Sequence, residues 1–535
     1  MTKHLVHRRV VLAALALLVT TCGNARLEPL EIFARSGPDG ERTFEITIRR
    51  AIVPGSLRVR LNGVPLGPSG WTVEEGEGAV RVTGPLERQR LRAGENALDA
   101  QARTEDGTDL ADSTTFVHAP AGTRSAGHRR LEGHVDWQGH PAMHLAWPFF
   151  RPGLTEDVDA SLTWKHQFQQ TVYAPQLRAS GIRIFATAAM AAERAENEEQ
   201  ARELILDQIE YVERFVTANA EDFALARTPE EARWLLENTD RIVIVHSIEG
   251  GRKILSSARD ARFWAEQGVA LITLIHLLDD ELGASALDQG ALSAAINPRG
   301  YLRRLLHPKA HRGLTARGKE AIVELAREGI LVDLTHMSPD SVEDALAVCR
   351  AHGIAPVVTH GTFSPVRRSE RSFTPEQVLE VYRLGGAFSI PLNANSLDPD
   401  EPSVEVPGTV VPGTISSFRF HHETLQRWIV DHAALALEDP SIRTASDLTE
   451  DQRTRLSVGW ASDWNGWTDH TRPYPAGSLP AGTGELEIDR VGLAHPGLLP
   501  QHWQRLRESG MDLDPLERSV EQFLRVWEQA RLGSR

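Results

Sequence analysis

Cysteine is nearly absent: Cys22 and Cys349 are the only two in 535 residues. That excludes a fold stapled by a disulfide framework, which belongs to short, cysteine-dense chains. Basic residues are also in deficit. Against 73 Asp and Glu stand 58 Lys and Arg, a formal net charge of −15. Nucleic acid is therefore not an expected partner, because phosphate binding needs clustered Lys and Arg. The apolar run "VVLAALALLV" (10–19) is too short to span a bilayer, which takes about 20 residues. What is present, 41% hydrophobic and 24% charged residues, is the balance of a globular protein, and the length predicts two domains.

The first 22 residues have the shape of a secretory signal. Lys3, Arg8 and Arg9 precede the apolar run and "TTC" follows it, a charged, apolar and then cleavable order. Cys22 stands where bacterial lipoproteins carry their lipidated cysteine, and the segment resembles a lipobox. The alternative is an ordinary cleaved signal with an incidental cysteine. On the lipobox reading the protein is exported to the bacterial cell envelope and anchored by lipid, with Gly23 giving no inner-membrane retention signal, so at the outer membrane. No internal disulfide is then available.

Residues 28–120 read as a small all-β domain. "FEITIRR" (44–50), "SLRVRLNGVPL" (56–66), "WTVEE" (71–75), "AVRVTG" (79–84), "NALDAQA" (96–102) and "STTFVH" (113–118) alternate with period two between Gly, Pro and Asn punctuation. An immunoglobulin-like sandwich is expected, followed by a linker at 118–130. From 131 to 535 strands alternate with helices. Strand candidates fall at 132–140, 182–188, 241–249, 269–276, 330–336, 355–360, 386–391 and 456–463. Between them, 201–216 shows an apolar face, 338–349 starts with a Ser cap and Pro, and 374–382 starts with a Thr–Gln capping box. Eight such units predict an α/β fold, a (β/α)8 TIM-type barrel.

Six of the eight strand candidates end on a group that binds metal or moves protons: His140, Glu249, His276, His336, His360 and Asp463. A barrel gathers such ends around one mouth. Imidazoles with carboxylates suit Zn²⁺. A carboxylate shared by two ions would lower the pKa of a bridging water and polarise a carbonyl, the requirement for amide or ester hydrolysis.

The quoted motifs resemble one family. "RIVIVHSIEGG", "GILVDLTHMS", "PVVTHGTFSPVRRSERSFTPEQV", "GWASDWNG", "RGLTARGKEAIVELAREG" and the terminal "FLRVWE" are similar, in order, to the motifs of the membrane dipeptidases within the amidohydrolase-type barrels. The resemblance covers about 131–530. It implies a zinc-dependent hydrolase that cleaves a dipeptide or related small amide by zinc-activated hydroxide attack, with one or two Zn²⁺. It also implies roles. Glu249 would bridge the metals and His336 and His360 would complete the second site. His276 would polarise the scissile carbonyl, and Arg371 would grip the substrate carboxylate. Asp463 would orient the nucleophile and pass its proton to the leaving amine. A solvated loop charge beside Arg367 and Arg368 is the plainer reading of Arg371.

The first strand departs from the family pattern D-x-H-x-D. In "GHVDWQGHPAMH" (133–144), one register supplies His134 and Asp136 as metal ligands, the other Gln138 and His140. Both pairs share one parity, so both are expected to face the barrel interior. Pro141 ends the strand, which favours Gln138 and His140 at the reactive end, with His144 in the loop beyond. "HLLDDELGAS" (276–285) also departs from the family and is expected to reshape the pocket and repel acidic substrates. Two rivals stay open: a lactone or non-peptide amide hydrolase, and a surface binding protein with a decayed site. A second copy of the chain is a further open partner.

Overall fold

The structure, a computed structural model, describes residues 29–36, 42–76, 79–118, 131–147, 154–155, 172–191, 193–287, 294, 296–399, 404–466, 468–475 and 485–533. The expected signal, Cys22 and most of the linker lie outside the described residues. Among the described residues, no helix is long and apolar enough to cross a membrane.

Eight parallel strands close on themselves: β1 His134–Gly139, β2 Ile182–Met190, β3 Ile242–Glu249, β4 Val269–Thr273, β5 Leu331–Asp333, β6 Val357–Val358, β7 Ala387–Pro391 and β8 Val458–Ala461. Each pairs with the next, and β8 returns to β1 through Trp460 and Asp136. Runs such as "IVIVHSIE" are buried throughout, as expected where helices cover the outside of a parallel sheet. Closure makes a mixed α/β fold on a parallel barrel, as the strand-and-helix alternation predicts. One element of the barrel sheet was not expected: a short strand, Phe223–Leu225, pairs with the first residues of β3, where β4 has not yet begun to pair.

The helices form where their caps say they should. Asn197 caps Glu198–Ala218, which buries Ile205, Gln208, Ile209, Val212 and Phe215 along one face. Ser338 accepts from the Ser341 N–H at the start of Pro339–His352, and Gly353 ends that helix at φ +65°, a left-handed position suited to glycine. Thr374 and Gln377 complete a capping box at Pro375–Arg383. The last helix, Ser519–Gly533, adjoins the N-terminal end of β1. The Val135 N–H donates to Ser519 Oγ, and Phe523 meets Trp137 edge-to-face at 4.8 Å.

β1 carries the feature on which the site depends. Asp136 pairs with Phe185, yet Gly139 pairs with Thr187. The first strand therefore spends one residue more than its neighbour over that interval, a bulge. A bulge resets the alternation of side chains. The shared parity expected for His134, Asp136, Gln138 and His140 is broken there. Gly139 sits where a Cβ would come within 2.6 Å of Phe185, so the residue between Gln138 and His140 has to lack a side chain.

The N-terminal region contains two four-stranded sheets. One is ordered Leu30–Ser36, Arg42–Ile48, Ala79–Leu86, Thr72–Gly76, and the other Val64–Leu66, Arg58–Leu61, Gly94–Arg103, Asp109–His118. By packing, the described residues within 1–33, 44–84 and 98–113 form one compact unit, and those within 34–43, 85–97 and 114–535 form another. The stretch 56–66, expected as one strand, is a hairpin. Asn62 and Gly63 take φ +52° and +80°, and Leu61 pairs with Val64. An Asn-Gly pair with both φ positive is the preferred two-residue turn.

Candidate metal centre at the barrel mouth

The strands stop earlier than their motifs suggest. Glu249 is the last residue of β3, but His140 lies one residue past β1, His276 and His336 three past β4 and β5, and His360 and Asp463 two past β6 and β8. Local geometry explains this. His336 and Asp463 have φ of +68° and +56°, a left-handed backbone that no strand accommodates. Asp333, the last residue of β5, accepts from the hydroxyls of Thr273 (2.6 Å), Thr335 (2.7 Å) and Thr359 (2.8 Å). That threonine clamp holds the ends of β4, β5 and β6 together beneath the histidines.

The six groups meet around one carboxylate. Glu249 Oε2 lies 3.1 Å from His140 Nε2 and 3.5 Å from His276 Nε2. Its Oε1 lies 3.2 Å from His336 Nε2 and 3.5 Å from His360 Nε2. His140 Nε2 is also 3.3 Å from Asp463 Oδ1 and 3.3 Å from Gln138 Nε2. Arg371 is half-buried at the edge, its Nη2 3.3 Å from His336 Nε2 and donating to the His360 carbonyl at 3.4 Å. Two zones result, one on each oxygen of Glu249.

The donor set suits cations. His336 Nε2 and His360 Nε2 are only 2.8 Å apart, Gln138 Oε1 is buried without a hydrogen-bond partner, and Glu249 Oε1 is buried without a well-formed one. Buried polar atoms left facing each other in this way call for something to bind. Glu249, His276 and His336 each place a ligand atom within 4.8 Å of the others.

Electrostatics separates the two zones. Burial raises a carboxyl, but His276 and His140 outweigh it and hold Glu249 well below the usual carboxylate range. Burial, then the Arg371 guanidinium, pushes His336 and His360 down, which leaves neutral imidazoles with lone pairs to offer. In the other zone burial opposes charging His140, yet Glu249 and Asp463 carry it up to about 10. Burial raises Asp463.

The other register of the first strand leads elsewhere. His134 stacks on Trp503 at 4.6 Å and 15°, with burial lowering it to about 4. Asp136 accepts from the Ser462 N–H at 2.8 Å and from the Ser462 hydroxyl, and burial raises it to about 7. His144 packs edge-on against Tyr211. The acidic loop after His276 is committed to itself. Asp279 pairs with Arg312 at 3.1 Å, Asp280 accepts from the Leu282 and Gly283 N–H groups, and Glu281 accepts from the Lys253 N–H. The expected repulsion of acidic substrates therefore has no free carboxylate at Asp279 or Asp280.

Sequence reasoning missed Glu193, whose Oε1 lies 2.6 Å from His276 Nδ1. Burial opposes charging His276, but Glu249 and Glu193 win and raise it. Glu193 follows β2, one of the two strand ends, with that of β7, for which no acid or histidine was singled out.

The sequence profile of the membrane dipeptidases (peptidase family M19) matches residues 138–433, more than half of the chain. This chain belongs to the membrane dipeptidase family. Among individual members, an uncharacterised dipeptidase of Schizosaccharomyces pombe is 30% identical over 35% of this chain and 40% of its own length. Dipeptidase verJ of Clonostachys rogersoniana is 26% identical over 37% and 46%. The chain thus spans less than half the length of these curated relatives. In structure, a metallopeptidase of Rhodobacter sphaeroides, solved with a phosphinate mimic of the dipeptide L-Ala-D-Ala, superposes with a TM-score of 0.50 at 18% identity, over 74% of this chain and 99% of that one. At that identity the likeness is one of fold. The match to the dipeptidase profile begins at Gln138, within the bulge of β1.

Proposed function

We propose that this protein is an exported metallohydrolase that cleaves a small amide, most naturally a dipeptide, at the mouth of its barrel. The observation that carries the reading is the position of Glu249, one carboxylate oxygen toward His140 and the other toward His336 and His360. Family membership and the dipeptidase names of its relatives support the same activity.

Gln138, His140 and Glu249 would hold one Zn²⁺, and Glu249, His336 and His360 a second. When bound, such ions supply Lewis acidity that activates water and polarises a carbonyl. The chain's own groups do the rest. Arg371 binds the substrate's terminal carboxylate through its guanidinium fork. His276, held by Glu193, donates toward the carbonyl oxygen as negative charge develops there. Asp463 takes the proton from the attacking water and returns it to the leaving amine. The half-exposed Arg371 at the edge of a buried cluster favours substrates short enough to place their carboxylate beside the reacting bond.

We read the N-terminal sheets as an immunoglobulin-like sandwich and Cys22 as the lipid attachment point of an outer-membrane protein. The test of the activity is a screen of dipeptides with and without a free carboxylate, run on zinc-loaded and chelated enzyme. Hydrolysis that needs metal and a free carboxylate is expected. Lactone cleavage without dipeptide cleavage would reject the assignment. Replacing Cys22 with Ser should release the protein from membranes washed at high salt, where charge-driven adsorption is screened.

A further inference from the structure

The helix Pro298–Leu306, "PRGYLRRLL", reverses the usual arrangement of a surface helix. Its one buried residue is Gly300, so it meets the body of the protein at its smallest residue. Leu302, Leu305 and Leu306 are 55%, 77% and 62% exposed. They are three of the seven large apolar side chains that stand exposed among the described residues, so this is a concentration and not the normal scatter of surface leucines. Spaced i, i+3 and i+4, they share one face, and Gly300 falls on the opposite face. The apolar stripe therefore points away from the protein. Arg299 and Arg303 border it on one side. Arg304, on the Gly300 side of the helix, pairs with Glu370 at 2.6 Å.

We propose that this helix lies on an anionic lipid surface, its three leucines in the interfacial layer and Arg299 and Arg303 at the level of the headgroups. An apolar stripe edged by arginines is the composition that binds such interfaces, because the long side chains cover apolar surface while their charges stay with polar groups. Charge complementarity points to this occupant: an anionic lipid surface offers a dense partner for Arg299 and Arg303 beside the stripe. The proposal does not rest on the metal site or on Cys22, although a lipid anchor there would keep the helix near such a surface.

The scarcity of cysteine makes the test direct. In the full chain carrying Cys22→Ser, the remaining Cys349 is buried, so Leu305→Cys can be labelled at one position with an environment-sensitive dye. Leu435→Cys, at another exposed leucine (53%), serves as the control. Vesicles of phosphatidylcholine with about one-third phosphatidylglycerol should shift the dye at 305 to the blue and leave the dye at 435 unchanged. Vesicles of phosphatidylcholine alone should do neither. Affinity should fall as salt rises, and by about five-fold for each of Arg299→Gln and Arg303→Gln. No shift with anionic vesicles, or an equal shift at 305 and 435, overturns the proposal. So does an equal shift with neutral vesicles. A shift without vesicles that grows with protein concentration also overturns it, and assigns the face to a second copy.

Discussion

His134 and His140 stand at the two ends of one barrel strand, both buried, and their surroundings make them opposites. His134 lies flat on Trp503 and is held near 4. His140 faces Glu249 and Asp463 and is carried to about 10. Burial is common to both and pushes both down. The difference is whether carboxylates face the ring. One end of the barrel packs and the other end gathers charge, the division of labour of this architecture, and the bulge between Asp136 and Gly139 is what turns the second pair of side chains toward the gathered charge.

The largest effect should come from removing the charge itself. Glu249→Gln leaves the surrounding imidazoles without their counter-charge. Losing a group that holds the metal should cost at least the roughly ten- to hundred-fold that loss of a supporting group brings, so kcat/KM should fall by about two orders of magnitude or more and bound zinc should drop. Turnover and zinc content equal to wild type, read by steady-state kinetics and mass spectrometry, would refute the bridging role.

The comparison itself is tested by paired alanines. His140→Ala should lower metal affinity by at least the roughly ten- to hundred-fold that loss of a supporting group brings. His134→Ala should keep its metal and lose about 1–3 kcal/mol of stability, since it removes a stacked ring from the core. If His134→Ala strips metal instead, the ligand register has been read wrongly. Gln138→His should raise zinc retention after dialysis against a weak chelator, because imidazole is a better zinc donor than an amide oxygen.

Arg371→Ala should cost about ten- to hundred-fold in kcat/KM for substrates with a free carboxylate, the value of a charge-assisted pair of about 1.5–3 kcal/mol. Amidated substrates should lose much less. Equal losses would remove Arg371 from substrate recognition.

The smallest effect concerns pH. His134 has a folded pKa of about 4 against an ordinary 6.5, so only the unfolded chain binds its proton between those values. Its contribution is complete above about pH 6.5 and is lost as pH falls toward 4, reaching about 2 kcal/mol at pH 5. His134 Nδ1 has no hydrogen-bond partner, so His134→Phe should fit the stack and flatten the melting temperature between pH 7.5 and 5. An unchanged slope would place the acid sensitivity in other buried histidines such as His470 and His502, both held near 3.

The barrel was legible because its eight strands announce themselves as apolar runs, six of them ending in chemistry, and those runs survive in the structure with trimmed ends. The trimming was not legible. It comes from the left-handed backbone at His336 and Asp463 and from the threonine clamp on Asp333, neither of which has a periodicity. The bulge was hidden for a related reason. "HVDWQGH" reads as unbroken alternation, and only the pairing with β2 exposes the extra residue. Asn-Gly inside 56–66 was a visible turn signal that the surrounding alternation obscured. Glu193 gave no signal, because its partner His276 lies in a distant loop, 83 residues on.

The closed barrel has a thermodynamic consequence. His140 and Asp463 follow the first and last strands, and their loops are laced together by the Asp463 N–H on the Gln138 carbonyl and the His140 N–H on the Trp464 carbonyl, each at 2.8 Å. A cation held by Gln138, His140 and Glu249, with Asp463 3.3 Å from His140, can bind only after the ring of strands has shut. Its binding energy is then part of the folding energy, growing with the logarithm of free metal over its dissociation constant. Chelation should therefore act as a mild denaturant aimed at the seam between β8 and β1. Hydrogen exchange in those two loops should quicken on metal removal before it does anywhere else in the barrel.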